Sequence, residues 1–540
     1  MDGKRLLLAA VLSFTVLLAW EWLGPKAPRR PPAPAAVPTE EKRPAPAPAP
    51  PVSAPESIAA STETLTTLEN DVLRATFSNR GALMSSLVLR HHVDDQGKPL
   101  ELVPPLPAPA PRALSLLFAS NDALTLSARN ALYVVEQPAE RAVRFRYAAP
   151  GLAITKEVRL TAGYLFDVRV TVGGPPYTLL AAAGLRNPTQ KERSTAYAMP
   201  TTAIVAASGG FERVRGDDAK KPVSWPMEEK GFAGLEDNYF LAVLLPRSPA
   251  TATALPVAVP DASGKPASGT VAAGVSGSGE LLARAYYGPK DVEVLDALGL
   301  GLERTVDFGW FEILARPLLW LLKWTYSWTG NYGVAILVVT LLIRILLFPL
   351  MHKSYASMKK MQKLAPKMAA IRDRYKNARG DAAQRAKMNQ EMMALYQTEG
   401  YNPMSGCFPM LLQLPILIAF YNVLSRSIEL RHAPFVFWIK DLSAVDRSYV
   451  LVIVMIATMY VQQAMTPSSL DPIQKRIFMA MPVIWGFFLK DMPSGLVLYW
   501  LFSNVLTILQ QLLINKMGSK DEPKAQRPAP LKKARAARTV

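Results

Sequence analysis

Five apolar runs, separated by charged connectors, occupy residues 332–514 and constrain the fold more than any other feature of the sequence. Arg344 is the only charged residue inside these runs. Long and nearly uncharged apolar segments are typical of helices that cross a lipid bilayer. The sequence therefore predicts a polytopic α-helical membrane protein with a five-span core bundle at residues 331–515. The runs cover residues 332–350, 408–424, 450–465, 477–489 and 496–514.

The overall composition agrees with a membrane protein and limits the chemistry available to the chain. Hydrophobic residues make up 50% of the 540 positions, and the formal net charge is +18. This charge is compatible with anionic lipid, nucleic acid or an acidic macromolecule as partner, so its position along the chain must decide. Cys407 is the only cysteine, and the four histidines are scattered. We therefore expect no intramolecular disulfide, no metal and no other cofactor.

The basic residues are concentrated in the connector at residues 352–401, where Lys and Arg far outnumber Asp and Glu. Its pattern predicts a helical hairpin, and the positive-inside rule places that hairpin in the cytoplasm. Counting spans in both directions then puts both termini in the cytoplasm and residues 25–330 in the periplasm. The charge of residues 516–540 predicts a basic cytoplasmic tail, either merely solvated or in contact with a ribosome or with lipid.

The N-terminal residues 1–24 form a further apolar run behind Lys4 and Arg5. A cleavable signal peptide and an uncleaved transmembrane anchor helix both fit this pattern. The run ends in large residues, including Trp20 and Trp22, instead of the small residues that a cleavage site needs, and this favours the anchor. Residues 25–60 are dense in Pro and Ala and predict an extended linker.

Short alternating runs bounded by turn residues fill residues 61–306. Residues 154–160 and 165–172 are examples in which apolar and polar side chains alternate, as in strands with one wet face. Many such runs predict a large antiparallel β-sandwich, which the topology assigns to the periplasm. Within it, residues 263–279 are rich in Gly, Ser and Ala and predict a loop.

Residues 307–330 combine large aromatic side chains with interleaved charges. Trp320, Trp324 and Trp328 favour the headgroup layer, and Arg316 and Lys323 would be costly in hydrocarbon. We expect an interfacial amphipathic helix on the outer leaflet, although another spanning helix also fits the length.

Arg344 is the residue that most directly suggests a mechanism. A guanidinium in the hydrocarbon core costs about 2.5–3.5 kcal/mol on the lenient insertion scale, so it needs a wet cavity or a route to the membrane surface. Its long side chain could snorkel, because the apolar run ends only six residues later. Thr340, Gln413 and Asn504 lie in or near the apolar runs, which contain no Asp or Glu. A cation among uncharged polar groups favours a water-filled cavity open to the cytoplasm.

The run at residues 477–489 is shorter than the bilayer. It spans roughly 20 Å as a helix, against about 30 Å of hydrocarbon. Either the bilayer thins there or the flanking charges snorkel. A thinned bilayer beside a wet cavity would lower the barrier for a polar segment to cross.

Several motifs in the core resemble the YidC insertases of Gram-negative bacteria. The motifs are residues 307–311 (DFGWF), 340–344 (TLLIR), 348–350 (FPL), 390–396 (QEMMALY), 402–409 (NPMSGCFP) and 493–499 (PSGLVLY). A weaker resemblance in the sandwich rests on residues 79–81, 154–156, 238–240 and 287–290.

The resemblance implies a multi-pass inner-membrane insertase and chaperone for nascent membrane proteins, working alone or with the Sec translocon through a hydrophilic groove. It implies that Arg344 supplies the positive charge of the groove and that Thr340 contacts clients. The family tyrosine on the last span is replaced here by Trp500, next to Tyr499. The predicted groove set is Arg344, Thr340, Gln413, Tyr499, Trp500 and Asn504.

Three other functions remain open at this point. A solute transporter would be expected to carry paired intramembrane charges or broken repeats, which the sequence does not suggest. A membrane enzyme would need a nucleophile, a base and an orienting group, and no such set stands out. A periplasmic scaffold would use the spans only as anchors. Lipid, the ribosome and the Sec translocon are the expected partners besides clients, and DNA is not expected.

Overall fold

The structure is a computed structural model. It describes residues 57–518 except residues 95, 104–110, 119–120, 187–198, 208–209, 217, 229, 258, 261–265, 268–270, 376–381, 401–407 and 466–471. The predicted anchor at residues 1–24, almost all of the linker and the tail beyond residue 518 lie outside the described residues.

Twenty strands precede the helical core in the described part of the chain. They are β1 Leu65–Glu69, β2 Leu73–Ser78, β3 Leu83–Val93, β4 Pro99–Glu101, β5 Leu116–Leu117, β6 Val134–Ala139, β7 Ala142–Ala149, β8 Leu152–Leu160, β9 Leu165–Gly173, β10 Tyr177–Ala183, β11 Thr202–Ala207, β12 Gly210–Arg215, β13 Val223–Met227, β14 Phe232–Glu236, β15 Phe240–Pro246, β16 Ala250–Pro256, β17 Val259–Pro260, β18 Pro266–Ala267, β19 Val271–Gly277 and β20 Glu280–Pro289.

Nine α-helices lie in the described residues. They are α1 Asp122–Asn130, α2 Val292–Ala297, α3 Glu312–Thr329, α4 Tyr332–Arg374, α5 Ala382–Thr398, α6 Phe408–Arg426, α7 Val450–Met465, α8 Pro472–Leu489 and α9 Ser494–Gly518. Short 3-10 turns cover Leu302–Thr305, Gly309–Phe311 and Ile428–Leu430.

The strands form the predicted antiparallel β-sandwich. A nine-stranded sheet in the order β12-β11-β14-β15-β20-β9-β8-β7-β6 packs on a five-stranded sheet in the order β13-β16-β19-β10-β5. Strands β1 to β4 form a third sheet. Phe77 of this sheet packs against Phe145 and Phe166 of the nine-stranded sheet. The alternation of apolar and polar side chains favours this packing of the sheets. The inward positions of β8 and β9 are largely apolar, and the residues between them face outward.

Two boundaries of the sandwich differ from the prediction. It begins before residue 61, because Ile58 forms a bridge with Ala148 and so takes the end of the proline-rich linker into the fold. The sandwich also contains α1, which the alternation pattern does not reveal. The side chain of Asn121 caps this helix by accepting a hydrogen bond from the Leu124 amide.

The predicted loop at residues 263–279 is wrong, because β19 occupies Val271–Gly277 at the centre of the five-stranded sheet. Small residues are required there. A Cβ added to Gly274 would lie 2.3 Å from the Leu179 carbonyl oxygen of the neighbouring strand β10. The Gly and Ala content therefore reports close approach of two strands rather than a turn.

Lys156 occupies an inward position of β8 and is completely buried. Its Nζ donates hydrogen bonds of 2.6 Å to the carbonyl oxygens of Ala82 and Leu114. Both of those residues have positive φ. Burial lowers the pKa of Lys156 from 10.5 to about 7.

The helical core contains one feature that changes the predicted division into domains. Helix α4 runs unbroken for 43 residues and joins the second predicted span to the first helix of the hairpin. The expected boundary at residue 352 is therefore not a break in the backbone. Helix α5 packs against the C-terminal half of α4, where Leu364 and Met368 contact Met392 and Leu395. In this structure, these methionines serve hairpin packing.

Within the described residues, two helical segments are both long and apolar enough to cross a bilayer, Tyr332–His352 and Ser494–Ile514. Two shorter apolar helices cover Val450–Met465 and Arg476–Leu489. Helix α8 extends beyond the predicted run at residues 477–489, but the added turn is polar and its apolar part stays short. The count of five spans stays a prediction.

The sandwich and the helical core meet at a cluster of charges. The ammonium nitrogen of Lys323 on α3 lies 3.0 Å from Glu429 Oε1, 2.9 Å from Glu293 Oε1 and 3.7 Å from Asp291 Oδ1. Asp291 and Glu293 belong to the end of the sandwich, and Glu429 follows α6. Lys323 thus bonds to protein carboxylates in this structure, and the interfacial placement of α3 stays a prediction.

Burial and the neighbouring charges together shift the pKa values of Glu429 and Lys323. Burial raises the pKa of Glu429 above 4.5, and the nearby ammonium of Lys323 reduces that rise without cancelling it. Burial alone would lower the pKa of Lys323, but the surrounding carboxylates outweigh it and raise the pKa overall. A second contact lies nearby, where Arg431 donates to the Val93 carbonyl oxygen at 2.8 Å.

Candidate functional site

A cavity lies between helices α4, α6 and α9 and contains four of the six predicted groove residues. Arg344 and Thr340 come from α4, Gln413 comes from α6 and Tyr499 comes from α9. The rest of the lining is Ile343, Leu347, Met351, Ile416 and Ser503. Thr340 and Arg344 are four residues apart, so a helix places them on the same face one turn from each other.

Arg344 is held by polar groups from both other helices. Its Nη2 donates to Gln413 Oε1 at 3.3 Å and also to Ser503 Oγ. Gln413 Nε2 donates to the same hydroxyl at 3.1 Å, which closes a triangle of hydrogen bonds. Both partners in this triangle are uncharged, and the Arg344 side chain lines the cavity.

The other two polar side chains of the cavity are positioned by their own surroundings. The Thr340 hydroxyl donates to the Ile336 carbonyl oxygen at 2.6 Å, one turn earlier in α4, and keeps its acceptor capacity. The Tyr499 ring is buried and stacks on Phe420 with centroids 4.4 Å apart. Its hydroxyl lies near the Gln413 side chain.

The cavity is small in this structure. Its volume for water-sized occupants is about 10 Å³, room for roughly one water molecule. Along α4 it extends from Thr340 to Met351, roughly 12 to 29 Å from the start of the helix at about 1.5 Å per residue. It therefore lies toward the end of the bundle that carries the basic hairpin.

Two predicted groove residues lie elsewhere. Trp500 packs on Trp485 of α8, with ring centroids 5.4 Å apart. Asn504 is buried and donates to Thr458 Oγ1 of α7 at 3.4 Å. Both side chains face the α7–α8 side of α9, and neither lines the cavity.

Sequence reasoning missed Ser503. Its hydroxyl contacts both Arg344 and Gln413, and it lies one helical turn after Tyr499. Helical spacing from Tyr499 was the signal that could have found it. Among the residues that the structure describes, no group of His, Cys, Asp or Glu is arranged to hold a metal ion.

The fold and this cavity define a class of protein in which apolar helices enclose an arginine and a large β-sandwich sits on one end of the bundle. A family model described as 60Kd inner membrane protein matches residues 324–521, and one described as YidC periplasmic domain matches residues 65–321. The membrane protein insertase YidC of Geobacter metallireducens is 36% identical over 557 residues, which cover 96% of this chain and 100% of that relative. The chain belongs to the YidC family of membrane protein insertases.

Another relative has the same name. The membrane protein insertase YidC of Geobacter sulfurreducens is 47% identical over 302 residues, 54% of each chain. A crystal structure of an active YidC insertase with its first transmembrane domain resolved is 17% identical and covers 85% of this chain and 94% of that chain, with a TM-score of 0.35.

Family membership establishes the main points of function. The protein is a membrane protein insertase of the inner membrane, its sandwich is the periplasmic domain, and its substrates are nascent membrane proteins. The solute-transporter alternative receives no support. The insertase names of the relatives also argue, indirectly, against an enzyme.

Proposed function

We propose that the cavity around Arg344 is the inner end of a hydrophilic groove that receives the polar part of a client segment during insertion. The hydrogen-bond triangle that Arg344 forms with Gln413 and Ser503 is the observation that supports this role most directly. Charge-assisted hydrogen bonds contribute about 1.5–3 kcal/mol each, which offsets the cost of an arginine at this depth. A client carboxylate that reaches the guanidinium would compete for the same donors.

The bilayer placement that we propose has five core spans, an N-terminal anchor, both termini in the cytoplasm and residues 25–330 in the periplasm. The basic hairpin supports this orientation, because positive charge marks the cytoplasmic side. The cavity lies toward the same end of α4, as expected for a groove that opens to the cytoplasm. The short apolar helices α7 and α8 support local thinning of the bilayer.

We further propose that clients arrive from the ribosome or from the Sec translocon. The positive charge of the hairpin and tail supports a ribosome contact, and family resemblance alone supports the translocon. Removal of residues 519–540 should weaken co-sedimentation with ribosomes. Unchanged co-sedimentation would argue against the tail as a ribosome contact.

The groove mechanism can be tested with matched clients in proteoliposomes. One client carries an acidic translocated segment, and the other carries the same segment with Asp and Glu changed to Asn and Gln. Arg344→Gln should reduce insertion of the acidic client about tenfold or more, the loss expected from one charge-assisted hydrogen bond. The neutral client should lose less.

Two further variants control the experiment. Arg344→Lys keeps the charge but not the planar fork, and it should retain part of the preference for the acidic client. Arg447→Gln changes an exposed arginine outside the cavity and should leave both clients unaffected. Equal losses for the two clients in Arg344→Gln would refute electrostatic attraction as the role of Arg344.

A further inference from the structure

A loop of 23 residues, 427–449, joins α6 to α7 at the end of the bundle that carries the sandwich. Its tip is closed by backbone hydrogen bonds: the Phe435 amide donates to the Ile439 carbonyl oxygen at 3.0 Å, and the Ile439 amide donates to that of Val436 at 3.1 Å. Three apolar side chains stand out from this tip. The exposed fractions are 41% for Val436, 82% for Phe437 and 46% for Trp438.

The backbone of the tip is strained at Phe437. Phe437 has φ 54°, a left-handed conformation that bulky residues rarely adopt and that glycine or asparagine would adopt at lower cost. His432 at the base of the loop also has positive φ, and its amide donates to Asp441 Oδ1 at 3.2 Å. A strained conformation that exposes a phenylalanine is unfavourable in water and suggests an apolar environment.

The tip is fixed beside the first turn of α4. Asn331, the N-cap of that helix, donates from Nδ2 to the Phe435 carbonyl oxygen at 3.1 Å. The Phe435 ring lies against Gly333 so closely that a Cβ there would be 2.0 Å from it. The loop therefore belongs to the same end of the bundle as Trp324 and Trp328 of α3, which also have exposed side chains.

We propose that residues 436–438, here called the aromatic tip, insert into the headgroup layer of the outer leaflet and anchor the loop to phospholipid. Tryptophan and phenylalanine partition into this layer. Exposed Lys440, just after the tip, can bind lipid phosphate. The tip lies at the same end of the bundle as the exposed tryptophans of α3, which argues for lipid rather than for a separate protein partner. The proposal rests on the inner-membrane placement of the core and does not depend on the role of Arg344.

Single-cysteine labelling can test the depth of the tip. Because Cys407 is the only native cysteine, the Cys407→Ser chain accepts Phe437→Cys, Trp438→Cys or Leu65→Cys, each labelled with a polarity-sensitive fluorophore. Leu65 is the control, since its side chain is 65% exposed on the sandwich. The proteins are reconstituted in phosphatidylcholine–phosphatidylglycerol vesicles and quenched with aqueous iodide or with shallow spin-labelled lipid.

We expect labels at positions 437 and 438 to be quenched by the spin-labelled lipid and to be at least about threefold less sensitive to iodide than the label at position 65, as for groups roughly 5–10 Å inside the interface. Equal iodide quenching at positions 437 and 65 would overturn the proposal. Protection from both quenchers would also overturn it, because it would indicate a protein partner or a second copy. Trp438→Cys keeps the test valid if Phe437→Cys does not fold. Client insertion by Phe437→Asn is measured in parallel, so that a failure of the lipid anchor can be distinguished from a failure of the role proposed for Arg344.

Discussion

The Lys323–Glu429 pair tests how the periplasmic domain is joined to the helical core. Lys323→Met removes the ammonium group but keeps an apolar stem of similar length. It leaves the Glu429 carboxylate, which is 9% exposed, without the nitrogen atom 3.0 Å away. Loss of one partner from a buried pair costs about 3–5 kcal/mol. Because Lys323 is 20% exposed, solvent screening reduces the expected loss to roughly 2–3 kcal/mol in the free energy of unfolding.

The assay is thermal unfolding of the purified full-length protein in detergent near neutral pH. Lys323→Met should lower the midpoint by roughly 4–12 °C at about 2–4 °C per kcal/mol. Adding Glu429→Gln should recover part of that loss, because no buried charge is left unpaired. The control is Arg316→Met on the same helix. Its pair with Glu312 has side chains 43% and 40% exposed, and such pairs contribute only about 0–1 kcal/mol.

The pH dependence of Lys323→Met gives a second readout. The folded-state pKa of Glu429 is raised above the unfolded value of 4.5, so the native state binds this proton more tightly. The stabilisation from protonation is full below pH 4.5 and is lost as the pH rises through the folded-state pKa. Without the ammonium group the rise is larger, and the deficit of Lys323→Met should shrink on acidification. A deficit no larger than that of Arg316→Met, or one that Glu429→Gln leaves unchanged, would refute the reasoning.

Three further predictions concern the sandwich and the cavity. The pKa of Lys156 is lowered from 10.5 to about 7, so the free energy of unfolding of the wild-type sandwich should increase as the pH rises from about 7 toward 10.5. Urea titrations should show that Lys156→Met removes this increase. Gly274→Ala should lower the unfolding free energy by about 1–3 kcal/mol, whereas Gly173→Ala, whose Cβ would lie 3.5 Å from its nearest neighbour, should change it little. In proteoliposomes, Tyr499→Phe should impair insertion more than Trp500→Phe, because of the two only Tyr499 lines the cavity. Equal effects within either pair, or a persisting gain in Lys156→Met, would contradict these predictions.

The outline of the fold could be predicted from local patterns, because alternation reports strands and apolar runs report membrane helices. The end of a helix was harder to predict. Basic residues after position 352 mark where α4 leaves the apolar region, but they do not interrupt its backbone hydrogen bonds. Pro349 and Pro366 do not end the helix either. Charge and helix termination are separate properties, and the predicted boundary treated them as one.

Prediction of the site from the sequence was limited because the site depends on contacts between helices that are far apart along the chain. Arg344, Thr340 and Gln413 could be selected because a polar group in an apolar run is costly and needs a reason. Ser503 gave no such signal, because a serine in a membrane helix can satisfy itself on its own backbone. The prediction of a loop where β19 lies was wrong for a related reason. Its Gly and Ala residues are explained by the closeness of β10, which no local window contains.

Helix α4 has one more consequence. A single helical backbone of 43 residues, roughly 65 Å long, passes from the sandwich end to the hairpin. The position of Arg344 along the helix axis and the direction of its side chain are therefore both fixed relative to Asn331, the N-cap of the helix. One residue inserted between these two positions would advance the guanidinium by about 1.5 Å and turn it by about 100°. Such an insertion would aim the charge away from Gln413 and Ser503, although no residue of the cavity had been replaced.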